Sequence, residues 1–156
     1  MANICKKICW DTNCFLAIFN QETDRFEICN SILEMAESSK IELYTSIITP
    51  CECAKIKNEF PSEAEEQISN FFKHRFIKKV TIDDSVSRIV RRLIWDCNSL
   101  KLSDAIHLAT AISIKAEEFH TCDADDLLKL NGCIKGYNLK IMKPFIEFQP
   151  TLTKNI

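Results

Sequence analysis

Four carboxylates, Asp11, Glu52, Asp104 and Asp123, carry the chemical content of this sequence, with Asp126 close behind the last of them. Asp11 begins Asp11-Thr12-Asn13, directly after the apolar run from Ile4 to Trp10. Glu52 closes Thr49-Pro50-Cys51-Glu52. Asp104 lies in the first turn of an amphipathic stretch, and Asp123 follows Glu118 to Thr121. Carboxylates crowded together repel, and each is driven to take up a proton. A divalent cation removes that conflict: Mg²⁺ takes oxygen ligands and keeps several waters, so some acids bind it directly and others hold its waters. Such an ion supports hydrolysis at phosphorus.

Each acid also has an ordinary structural reading. Asp11 suits a turn, Glu52 suits a capping box with Thr49, and Asp104 favours the positive end of its helix dipole. Asp123 suits the cap of a following short helix. Only their convergence would make them a site.

The elements that must position these acids alternate between short apolar runs and amphipathic helical stretches, the pattern of an α/β fold with a parallel sheet. The runs Ile4 to Trp10, Ile41 to Ser46, Phe76 to Ile82, Glu118 to Thr121 and Leu139 to Met142 read as five strands. Helices are expected over Cys14 to Phe19, from Asp24, from Thr49, from Ser62 to Phe72, from Asp83 or Asp84, from Ser103, and over Asp125 to Leu130. In a parallel α/β sheet the ligand site lies beyond the carboxyl ends of the strands. At least three of the acids belong at that edge by topology alone.

Composition fits one globular domain. The chain has 156 residues, 46% hydrophobic and 27% charged, with two Gly and four Pro, which leaves little material for flexible linkers. Residues 1–148 read as the domain and 149–156 as a C-terminal tail. No apolar run approaches a membrane span, and the N-terminus lacks the features of a signal peptide, so the expected location is cytoplasmic. Nine cysteines mostly sit inside apolar patterns, where a reducing compartment would keep them as small hydrophobes. Cys51-x-Cys53 has no matching pair at zinc spacing. The net charge of −2 argues against wrapping a long nucleic acid but permits a local basic patch.

Four motifs in order give the chain a family resemblance. Trp10-Asp11-Thr12-Asn13, Ser46-Ile-Ile-Thr49-Pro-Cys-Glu52, Lys101-Leu-Ser-Asp104-Ala-Ile-His107-Leu-Ala-Thr-Ala111 and Thr121-Cys-Asp123-Ala-Asp-Asp126-Leu127 resemble those of the PIN domain, in particular the VapC-like ribonuclease toxins of toxin–antitoxin pairs. The resemblance implies a three-layer fold whose central five-stranded parallel sheet has the order 3-2-1-4-5. It implies that Asp11, Glu52, Asp104 and Asp123 form a pocket for Mg²⁺ or Mn²⁺, with Asp126 an additional candidate because family members differ in which late acid contacts metal. It further implies an endoribonuclease that hydrolyses RNA with metal-activated water, often as a homodimer, with an antitoxin as its protein partner.

Around that pocket, Thr12, Asn13 and Ser46 are candidates for orienting carboxylate oxygens. Lys55, Lys57, Arg88, Arg91, Arg92 and Lys101 are candidates for contacting RNA phosphates. His107, one turn after Asp104 on an apolar helical face, reads as a core histidine with a satisfied hydrogen bond. The segment Phe71-Phe72-Lys73-His74-Arg75-Phe76 mixes basic and aromatic residues as single-strand binders can, yet its place before a strand favours core packing. The competing reading is a PIN-like module that binds RNA or protein without cleaving, against which the intact acids argue. A phospho-acceptor receiver domain has no place for Glu52 or for the Asp104 helix.

Overall fold

The computed structural model describes residues 4–57 and 60–147. The central strand β1, Lys6–Trp10, alternates its side chains as a strand must. Ile8 and Trp10 point to one core and Cys9 to the other, and all three are buried. A strand buried on both faces belongs in the middle of a parallel sheet. β2 (Ile41–Ser46), β3 (Ile77–Val80), β4 (Glu118–His120) and β5 (Lys140–Met142) complete it in the order β3-β2-β1-β4-β5, with every pairing parallel. This is the order expected from the resemblance.

Helices cover both faces. On the first, α1 (Thr12–Phe19), α2 (Phe26–Glu37) and α4 (Pro61–Phe71) pack around Ile8, Trp10, Ile41 and Leu43. Phe15, Phe19, Phe71 and Phe72 form an edge-on ring cluster there, so the aromatics of the mixed basic segment serve the core, as expected. On the second face, α5 (Asp84–Asp96) and α6 (Leu102–Ser113) cover Cys9, Phe119 and Ile141. A short α3 (Thr49–Glu52) and a 3-10 turn (Cys53–Lys55) follow β2, and another 3-10 turn (Leu128–Leu130) precedes β5.

Several local expectations are corrected. The helix after β2 begins without a side-chain cap, so Thr49 and Glu52 form no capping box. Thr49 is buried, and its hydroxyl lies 2.7 Å from that of Thr45. Ser103 sits inside α6, whose N-cap is Lys101 without a side-chain bond. Ser62 likewise follows Pro61, the first residue of α4, where the missing N–H costs nothing. The helix expected over Asp125 to Leu130 contracts to the 3-10 turn, and the one expected from Asp24 starts at Phe26. Asp83, one of two expected caps, does cap α5: its Oδ1 accepts from the Val86 N–H at 2.8 Å.

On β4, Glu118 and His120 are buried on the face shared with Trp10. The Trp10 indole N–H donates to His120 Nδ1 at 3.2 Å, and His120 Nε2 lies 2.7 Å from Glu118 Oε2. Lys6 forms an ion pair with Glu118. Burial works to raise the Glu118 pKa, but the bonds to His120 and Lys6 outweigh it and hold the carboxyl at about 2, below the ordinary 4.5.

Two measurements test this framework. Asp83→Ala should cost about 1 kcal/mol in urea unfolding. Glu118 adds stability above about pH 4.5 that disappears as the pH falls towards 2, because the unfolded chain then binds the proton that the folded one resists. Glu118→Gln should therefore be less stable than wild type at neutral pH, and the gap should narrow across that acid window when unfolding is followed by circular dichroism. A gap independent of pH would remove Glu118 as its source.

Candidate metal centre

Asp11 extends β1 by one residue, its N–H donating to the His120 carbonyl at 3.0 Å. The extension carries its side chain to the carboxyl edge of the sheet, where it is 6% exposed. Three donors satisfy it: the Thr12 N–H at 2.7 Å on Oδ1, and Asn13 Nδ2 at 3.0 Å and the Thr121 hydroxyl at 2.8 Å on Oδ2. Burial pushes its pKa up, His107 and the hydrogen bonds from Thr121 and Thr12 pull it down, and Glu52 adds repulsion; the outcome is a raised value.

Asp104, in the first turn of α6, stands beside Asp11. Its pKa is raised by burial and then by the charges of Asp11 and Asp123. Asp123, beyond β4, plays two parts. Its Oδ1 accepts from the N–H groups of Asp125 and Asp126 at 3.1 and 2.9 Å, so it closes the turn after β4 instead of capping the following 3-10 helix, whose N-cap is Leu127 without a side-chain bond. One of its oxygens also joins oxygens of Asp104 and Asp126 in a group whose atoms lie within 4.8 Å of one another. Asp126, the additional candidate, thus enters the cluster, while Asp11 and Glu52 lie outside this tightest set. Three oxygen donors on partly buried carboxylates, with one of them destabilised by its neighbours' charge, fit a hard divalent cation.

Glu52 is reached from another direction. Its Oε1 accepts from the Thr12 hydroxyl at 2.8 Å and lies 2.5 Å from His107 Nε2. Thr12 therefore bridges the two acids, with its amide on Asp11 and its hydroxyl on Glu52. His107 is 1% exposed, which agrees with a core histidine, yet its Nε2 also lies 3.3 Å from the Thr12 hydroxyl and 3.6 Å from Asp11 Oδ1. Its Nδ1 has no hydrogen-bond partner among the described residues. Because a carboxylate can only accept, the Nε2 proton points at Glu52. His107 is a core residue whose polar edge forms the inner wall of the acidic site.

Of the residues expected to orient these oxygens, Thr12 and Asn13 do so. Ser46 does not: its hydroxyl accepts from the Ile48 N–H at 3.3 Å, within its own turn. Thr121 does the work expected of Ser46 and was not singled out. Its hydroxyl donates to Asp11 and accepts from Asn13 Nδ2 at 3.3 Å and from the Asp123 N–H at 3.1 Å, linking two acids 112 positions apart. The available signal was a hydroxyl at a strand end two residues before an acid, where it accepts from the Asp123 N–H as in a Ser/Thr turn.

Of the basic candidates, Lys101 bonds Asp126 Oδ2 at 2.7 Å and so stands at the cluster itself. Arg88, Arg91 and Arg92 are exposed on α5, with Arg92 3.6 Å from Asp96. Lys57 is exposed, and the side chain of Lys55 lies outside the described residues.

A family model described as the PIN domain matches residues 8–131. Among solved structures, a toxin-antitoxin complex from Klebsiella pneumoniae aligns with a TM-score of 0.63 at 22% identity, covering 90% of this chain and 99% of that one. VapBC2 from Rickettsia felis, solved bound to a promoter DNA fragment, aligns at 0.62 with 13% identity, covering 86% and 98%. VapC20 from Mycobacterium tuberculosis, described as a sarcin-ricin loop cleaving toxin, aligns at 0.61 with 14% identity, covering 76% and 91%. No curated protein sequence matches. At these identities the solved structures share the fold, and the family match rests on the sequence itself: the chain belongs to the PIN domain family.

Proposed function

We propose that this protein is a divalent-metal-dependent endoribonuclease, acting in the cytoplasm as the toxin of a toxin–antitoxin pair. The observation that carries the reading is the carboxylate cluster of Asp104, Asp123 and Asp126, set beside the buried Asp11 at the carboxyl edge of a PIN-domain sheet. A binding module would gain nothing from concentrating negative charge where phosphates must approach. Solved relatives of the same fold described as toxin–antitoxin complexes support an antitoxin as partner, and a homodimer is the assembly that the resemblance suggests.

In this reading Asp104, Asp123 and Asp126 would hold Mg²⁺ or Mn²⁺, with Asp11 and Glu52 as further carboxylates of the same pocket. The cation supplies Lewis-acid charge for hydrolysis of the RNA phosphodiester, giving a 5′-phosphate and a 3′-hydroxyl. The chain's own residues supply rigidity. Three donors fix the Asp11 carboxylate, Thr12 and His107 fix Glu52, and Thr121 ties Asp11 to the Asp123 backbone. A constellation locked in this way needs no reorganisation when negative charge develops at phosphorus. Single-stranded or looped RNA fits best, since its phosphates can reach an edge pocket without a duplex wrapping the protein.

Purified protein should cleave a structured RNA with Mn²⁺ or Mg²⁺, and Asp104→Asn should lower the rate by about a hundredfold or more. Thermal unfolding supplies a readout independent of activity. Without metal, Asp104→Asn should be more stable than wild type because it relieves repulsion. Mn²⁺ at about a hundred times its dissociation constant should stabilise wild type by about 2.7 kcal/mol and the variant far less. Equal cleavage by both proteins would sink the proposed site.

Thr121→Val keeps the shape and removes the hydroxyl. Manganese affinity, followed by electron paramagnetic resonance of the free ion, should fall about 10- to 100-fold. An unchanged affinity would reduce Thr121 to a packing residue.

A further inference from the structure

Helix α5 has two faces of different chemistry. Val86, Val90 and Leu93 enter the core. On the opposite side Arg88, Arg91, Arg92 and Trp95 recur at three- and four-residue spacing, so they lie side by side along one stripe. All four are exposed, and Trp95 is 71% exposed. Solvated arginines on a helix are ordinary; here they flank an exposed indole. α5 packs on α6, and Trp95 sits at the end of α5 that leads into α6, the helix whose first turn carries Asp104.

The composition of the stripe selects its occupant. A second copy docking by twofold symmetry would set arginines against arginines, since such an interface pairs a patch with itself, and like charges in apposition disfavour it. A nucleic-acid duplex offers phosphates but keeps its bases stacked. Single-stranded RNA uses both parts: phosphates meet the guanidinium groups, and an unpaired base lies on the indole. We propose that the outward face of α5 is the track that holds single-stranded RNA beside the pocket, with one base stacked on Trp95. The proposal rests on the ribonuclease reading and names the surface that would hold its single-stranded RNA.

The test uses the full chain in EDTA, so that binding is measured without cleavage. The sequence has two tryptophans, and Trp10 is fully buried, so a change in emission on adding RNA reports Trp95. A mixed-sequence single-stranded 12-mer should quench it, whereas an RNA duplex of equal length should not. Trp95→Ala should weaken single-strand binding about tenfold or more, and Trp95→Phe, which keeps a stacking face, should stay within about threefold of wild type. Replacing Arg88, Arg91 and Arg92 together by Gln should lower the slope of log affinity against log salt by about 2. The proposal is overturned if the 12-mer leaves emission unchanged, or if Trp95→Ala binds it as wild type does. It is equally overturned if that variant alters only the oligomeric state in sedimentation. Cleavage by wild type but not by Asp104→Asn, together with unaltered RNA binding by Trp95→Ala, would sink this inference and leave the ribonuclease standing. Trp95 quenching by the 12-mer with no cleavage under any cation would do the reverse.

Discussion

The site depends on one buried negative charge. Asp11 is placed at the end of the central strand by backbone pairing with β4, in an environment that penalises ionisation. A carboxylate there is tolerable only if its oxygens are satisfied, and the surrounding residues are arranged to do so: the Thr12 amide, Asn13 and Thr121. Those same groups reach onward. Thr12 extends to Glu52 and Thr121 to Asp123, so the network that solvates one acid orients two others. Orientation and solvation are here a single set of hydrogen bonds.

The protein separates its charges by element rather than by overall composition. The chain is close to neutral, with 20 basic and 22 acidic residues, yet one edge of the sheet gathers carboxylates while the outer face of α5 gathers arginines. Lys101 belongs to the acidic side, bonded to Asp126 in the cluster. Overall net charge therefore says little about how this surface meets a polyanion; the local field at each element decides.

The sheet was largely legible in the sequence because its strands fall in short runs between amphipathic helical stretches, even where, as in β4, Glu118 and His120 interrupt the apolar pattern. β2 spans Ile41–Ser46 as read, and its neighbours differ mainly by trimmed ends. Helix starts were less legible. Thr49 and Ser103 look like caps by residue type, but whether a hydroxyl caps depends on the backbone conformation before it, and both were drawn inside their helices. In the site, the acids could be placed at the sheet edge from strand ends and helix starts, since topology alone brings those together. The choice of hydrogen-bond partners could not: Ser46 turned to its own loop while Thr121 spanned the gap. Such choices depend on side-chain directions across neighbouring strands, which spacing along one chain does not encode. His107 illustrates the same limit from the other side, as a core residue by periodicity that nevertheless presents one ring nitrogen to Glu52.

The separation along the chain between Asp11 and Thr121, 110 residues joined by one 2.8 Å bond, has a temporal consequence. Contacts between distant segments must await closure of a large loop, and they form late in folding. During synthesis the amino-terminal half emerges first, carrying Asp11 and Glu52 but neither β4 to pair with β1 nor the acids at 104, 123 and 126. The acidic cluster therefore cannot assemble on a nascent chain until nearly all of its fold exists.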